Sequence, residues 1–171
     1  METPQHRETH KHDNDVVSAS ILEAFTINWI KYKIKKVSNS AKEGKKLWLN
    51  IKNPIPIYFV EWSWIFMQWA YHKKRNIIFM FDNSDAITLK HEIIHSLEFN
   101  KPIPNELHEF YELAKSKISE ESFDDMAVSF NFKKDIHEFI ADWYSKNPFI
   151  MALKKEWLYE EFLQKTKYIF E

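Results

Sequence analysis

Residues 91–95 read His-Glu-Ile-Ile-His, and this run restricts the fold more than any other part of the chain. On a helix, side chains four residues apart lie about 40° apart around the axis, so both imidazoles can reach one metal ion. Glu92 projects roughly 100° from His91, toward a water beside the ion. The surrounding pattern supports a helix. Asp82-Asn83-Ser84-Asp85 supplies capping residues, Ile87, Leu89, Ile93, Ile94 and Leu97 form an apolar stripe, and Lys101-Pro102-Ile103-Pro104 ends the run.

Composition sets the remaining bounds. A chain of 171 residues fits one domain that buries about two-thirds of its unfolded surface. Seven Trp, seven Tyr and fourteen Phe provide for an aromatic core. The formal net charge of −1 argues for no nucleic acid or membrane partner. With no cysteine, any metal must be held by histidine and carboxylate. The one glycine, Gly44, makes glycine-rich phosphate loops improbable. Met1 to Asp15 has no apolar signal-peptide core, so the cytoplasm is the default location, with export by a non-classical route left open.

Along the chain, residues 1–14 read as a disordered, His-rich tail and residues 15–171 as a single domain. Leu22, Phe25, Trp29 and Tyr32 mark a helix from Val16 to Val37, whose C-terminus would carry Lys31, Lys33, Lys35 and Lys36. Together with Lys42, Lys45 and Lys46, these lysines are read as a solvated helix end and loop in preference to a nucleic-acid surface. Ile57 to Val60, Trp64 to Met67 and Ile77 to Phe81 read as strands, and Tyr71 to Asn76 as a basic turn. The stretch from Ile55 to Tyr71 reads as a buried hairpin, because Glu61 and Gln68 interrupt any membrane span. Further helices are expected from Asn105 to about Ser119, from Asp135 to Ser145 (stopped by Asn147-Pro148) and from about Ala152 to Phe170, with an apolar patch at Val128 to Phe132. The class is α+β: an N-terminal helix, a small mostly antiparallel sheet, the His91–His95 helix and a C-terminal helical subdomain.

The chemistry that needs this spacing is catalytic zinc, with two histidines and a third ligand holding the ion while one position stays with water. No H-x-x-G-x-x-H continuation follows His95, so the third ligand must come from a later element. Glu138 leads, in His137-Glu138-Phe139-Ile140-Ala141-Asp142, with Asp142 one turn on and able to orient a ligating imidazole. Glu98, Glu109, Glu112, His108 and His137 are rivals.

From Ala86 to the C-terminus the chain resembles the catalytic domain of the anthrax lethal factor-like zinc metallopeptidases, which are gluzincins. The resemblance rests on His91-Glu92-Ile93-Ile94-His95, a comparable gap, Glu138-Phe139-Ile140-Ala141-Asp142, and a closing lysine-rich segment from Leu153 to Phe170. It implies a zincin-like fold and one zinc ion per chain held by His91, His95 and Glu138, with Glu92 as catalytic base and Asp142 behind the ligands. The implied activity is endopeptidase action on a protein or peptide substrate. The family carries a tyrosine shortly before its third ligand. Here no tyrosine falls between Tyr111 and Glu138, so His137, Tyr144 or Tyr111 would have to steady the oxyanion. The strand Ile77 to Phe81 is expected as a sheet edge that could pair with an extended substrate. Two other readings remain: a cytoplasmic repressor-cleaving metalloprotease, whose third ligand usually follows sooner, and a catalytically inactive zincin-fold binding module. The oligomeric state is not readable.

Overall fold

The computed structural model describes residues 34–60, 70–73, 76–81, 84–119 and 135–171. The expected tail, the helix before residue 34, the strand at Trp64 to Met67, the capping residues Asp82 and Asn83 and the patch at Val128 to Phe132 lie outside the described residues. The chain divides into two compact units, one ending at Ser96 and the other beginning at Leu97.

The first unit holds a four-stranded sheet in the order β1-β2-β4-β3. Its strands are β1 (Ile34–Asn39), β2 (Pro56–Val60), β3 (Ala70–His72) and β4 (Ile77–Phe81). β1 and β3 pair antiparallel with β2 and β4 respectively, and β2 runs parallel to β4 with Ile57 opposite Ile78 and Val60 opposite Phe81. The sheet is therefore mostly antiparallel. Three expectations change. Residues 34–37 form a strand rather than the end of a helix, because the β1 backbone finds its partners on β2, with Val37 opposite Tyr58. Tyr71 and His72 are strand and not turn, and β4 lies between β2 and β3 in the sheet, while the second arm of the expected hairpin, Trp64 to Met67, lies outside the described residues. β4 is consequently an interior strand and not an edge. Its residues Ile78, Phe79, Met80 and Phe81 are all buried, which is what a strand covered on both faces requires.

Helix α1 (Ser40–Lys46) follows β1 directly. Asn39 caps it by accepting from the Lys42 N–H (2.8 Å). Ser40 ties its start to the sheet, donating its N–H to the Ile55 carbonyl while its Oγ accepts from the Ile55 N–H. At its other end Trp48 adopts φ 62°. The Leu49 N–H reaches the Gly44 carbonyl (2.9 Å) and the Trp48 N–H the Lys45 carbonyl (3.3 Å), the paired bonds of a Schellman cap. Gly44 itself sits one turn earlier, where an added Cβ would lie 2.7 Å from Ile51 Cδ1.

Helix α2 (Ala86–Glu98) is capped by Asp85, whose Oδ1 accepts from the Thr88 N–H (2.7 Å). In the second unit, α3 (Asn105–Lys117) buries Leu107, Phe110, Tyr111 and Ala114 on one stripe. Helix α4 (Ile136–Ser145) places Phe139 at the centre of an aromatic cluster, with ring centroids 4.9 Å from Tyr111, 5.3 Å from Trp143 and 5.7 Å from Phe162. Pro148 opens a separate helix α5 (Asn147–Lys155) instead of only closing α4, consistent with its missing N–H and fixed φ in a first turn.

The expected single helix from Ala152 to Phe170 is broken. α5 ends at Lys155, α6 spans Tyr159–Thr166 and a 3₁₀ turn covers Lys167–Phe170. The break is Trp157 at φ 62°, with the Leu158 N–H on the Leu153 carbonyl (2.8 Å) and the Trp157 N–H on the Lys154 carbonyl (3.1 Å). This second Schellman cap lets Leu158 turn into the core. No helix among the described residues is long and apolar enough to cross a membrane.

Candidate metal centre

Helix α2 is polar where a core helix would be apolar. All six residues from His91 to Ser96 are buried, including both imidazoles and the Glu92 carboxylate, none of which has any exposure. Ile93 and Ile94 account for the apolar part of that turn. The sequence explains why the helix persists here: Asp85 fixes its start, and no glycine or proline interrupts it before Pro102. One turn apart, the rings of His91 and His95 meet edge to face with centroids 4.5 Å apart. Their Nε2 atoms lie 2.9 Å from each other, so both lone-pair positions converge on one region. Burial pushes the neighbouring Lys90 ammonium below its ordinary range.

Glu138 comes from the first turn of α4. Asp135 caps that helix, its Oδ1 accepting from the Glu138 N–H (2.9 Å). Glu138 is 2% exposed. A ligand atom from each of His91, His95 and Glu138 lies within 4.8 Å of the other two, a group that could hold a metal ion. Two imidazole nitrogens with one carboxylate oxygen suit a divalent ion of borderline softness, and three protein donors leave room for one more ligand. The donor set therefore fits a metal. Glu92 follows His91 directly and is as deeply buried as the pair.

The other candidates take different places. Asp142, fully buried one turn after Glu138, pairs with Lys146 (Nζ to Oδ1, 2.8 Å). Lys146 is a residue that sequence reasoning passes over, although its i,i+4 spacing from an acid points to it. Glu98 is fully buried and accepts from Nδ1 of His137, whose ring also stacks on Phe99 at 4.3 Å. Nothing local signals that pair, since the two residues are 39 apart in sequence. His108, Glu109 and Glu112 lie on the exposed face of α3.

Tyr144 donates its hydroxyl to Thr166 Oγ1 (2.6 Å), which in turn donates to the Phe162 carbonyl (2.7 Å). Burial pushes the Tyr144 phenol up to about 12. Tyr111 packs on Phe139 under the Lys115 ammonium, and burial, followed by the charges of Asp135 and Glu112, raises its phenol well above the ordinary value. Of the three residues considered for steadying an oxyanion, His137 alone has a partly exposed ring held by a carboxylate. Comparison with protein-family models, curated proteins and solved structures finds no match to this chain.

Proposed function

We propose that the protein is a zinc-dependent endopeptidase of gluzincin type with a zincin-like fold, related in its site to the lethal factor-like peptidases. The observation that carries this reading is the convergence of the His91, His95 and Glu138 ligand atoms, with Glu92 buried on the same helix turn. His91, His95 and Glu138 would hold one zinc ion. When bound, zinc supplies Lewis acidity, acidifying water and polarising the scissile carbonyl.

The Glu92 carboxylate accepts the proton as the water oxygen bonds to the carbonyl carbon. It then returns that proton to the amine nitrogen as the C–N bond breaks. Asp142 holds the ligand set in orientation from behind. His137, fixed through Nδ1 by Glu98, takes the place of the family's tyrosine and faces the developing oxyanion. The closed surroundings of Glu92 keep bulk water from competing for the proton.

The test uses Glu92→Gln, which preserves shape and removes the base. The variant should retain one zinc per chain and lose about 10²–10⁴-fold in peptide hydrolysis, read on a peptide library by mass spectrometry. Undiminished cleavage ends the assignment. A wild-type protein that binds zinc but cleaves nothing in the library points to the inactive binding module.

A further inference from the structure

The segment from Ile34 to Asn53 differs in charge from the rest of the chain. It contains Lys35, Lys36, Lys42, Lys45, Lys46 and Lys52 against a single acid, Glu43. That is a formal +5 inside a protein whose total is −1, so the remainder carries −6. All six lysines are exposed. The one acid is turned inward, buried and paired with Lys46 (3.1 Å) and Lys36 (3.5 Å), so the surface of the segment is uniformly basic. Between Lys46 and Lys52 in this segment stands Trp48, 97% exposed. It occupies the left-handed position of the α1 cap, where glycine is the favoured residue and a large side chain is strained. Val37 (58%) and Ile34 (37%) are exposed in the same segment.

A tryptophan left 97% exposed while straining its backbone contributes little to folding. We infer that the Lys35–Lys52 surface is a docking site for a bilayer containing anionic phospholipid, with Trp48 seated at headgroup depth. Indole settles at the membrane–water interface because one edge is polar and the rest apolar. The exposed lysines that flank it in the sequence are drawn to the negative surface potential of anionic lipid. Exposed Val37 and Ile34 suit a surface that has acyl chains beneath its phosphates and have no use on a phosphodiester backbone. A single-stranded nucleic-acid track would call for successive aromatic platforms, and the described part of this segment has one.

The molecule contains its own control. Lys154-Lys155-Glu156-Trp157-Leu158 repeats the cap of Lys45-Lys46-Leu47-Trp48-Leu49, with Trp157 93% exposed at the same φ of 62°. There Glu156, Glu160 and Glu161 outnumber the two lysines. If charge and indole act together, Trp48 will matter for anionic lipid and Trp157 will not.

The experiment is co-sedimentation of the full chain with vesicles of phosphatidylcholine, with and without phosphatidylserine, beside a fluorescent single-stranded oligonucleotide. Binding should require phosphatidylserine, weaken with salt, fall at least about tenfold in Trp48→Ala and fall about fivefold for each lysine neutralised in Lys45→Gln and Lys46→Gln. Trp157→Ala should bind as wild type. Thermal melts of each variant check that it is folded, which the exposure of these side chains favours. No sedimentation, equal binding to both vesicle types or indifference to Trp48 overturns the inference. Oligonucleotide binding that depends on Trp48 in the absence of vesicle binding also overturns it, in favour of a nucleic-acid surface. None of these readouts involves hydrolysis or zinc, so the inference and the proposed activity fail separately.

Discussion

On α2 two imidazoles and a carboxylate sit without any exposure, while at the ends of α1 and α5 a tryptophan stands almost wholly in solvent. Each arrangement reverses the usual partition of side chains, and each opposes folding. The buried group costs desolvation, since polar and charged side chains leave water for a low-dielectric interior. The corners cost backbone strain, because a large L-residue at positive φ crowds its own carbonyl. The difference lies in what relieves the cost. A bound cation would relieve the first from within. The second, being local to the backbone, is relieved only by substitution.

The largest expected effect lies at the buried group. His91→Ala should bring zinc content from one per chain to none by elemental analysis. Added zinc should raise the melting temperature of the wild type, by about 2.7 kcal/mol of stability at 100 times its Kd, and leave His91→Ala unmoved. Equal responses would show that zinc binds elsewhere. Next comes Asp135→Ala. It removes the cap that holds the Glu138 N–H and should cost about 1 kcal/mol in denaturant melts, with zinc affinity reduced but not abolished. Unchanged affinity would mean that the start of α4 does not position the ligand.

The corners should respond in the opposite direction. Trp48→Gly and Trp157→Gly each relieve a left-handed residue and should stabilise by about 1 kcal/mol, a rise of about 2–4 °C in Tm. A fall would mean that the indoles contribute to packing after all.

The smallest effect is the pH dependence of Glu43 at the α1 corner. Burial pushes its carboxyl up, but hydrogen bonds from Ser38 and Lys46 and the charges of Lys36 and Lys46 together hold it below the usual carboxylate range. A lowered folded-state pKa contributes stability that is present above the unfolded value near 4.5 and lost as pH falls through the folded one. Because both lysines are largely exposed, less than about 1 kcal/mol is expected. Glu43→Gln should flatten the stability profile on the acid side and leave the neutral plateau nearly level. An unaltered acid limb would remove the ion pairs from consideration.

Much of the candidate centre was legible because its signals are local. The His91–His95 spacing and the Asp85 cap lie within one stretch of chain, and the placing of Glu138 in a helix that begins at Asp135 lies within another. The choice of Glu138 over Glu98 or Glu109 was open to pattern reasoning but depends on tertiary placement. Glu98 is held by His137, and Glu109 faces solvent. β1 was misread because its lysines and Ile34 suit a helix end equally well, and its partner, β2, lies far along the chain. β4 has the composition of a strand, but only the pairing of β2 and β3 on its two sides makes it interior. The break at Trp157 was invisible for a chemical reason: left-handed caps are recognised by glycine, and here tryptophan fills the position twice.

The cap at Asp135 has one more consequence. A helix turns about 100° per residue, so where it starts decides which side chain points in any given direction. If α4 began one residue sooner or later, the direction now held by the residue 138 carboxylate would pass to the ring of Phe139 or His137. A single aspartate oxygen therefore acts as an indexing pin, and its loss would change what the helix offers before it changed whether the helix forms.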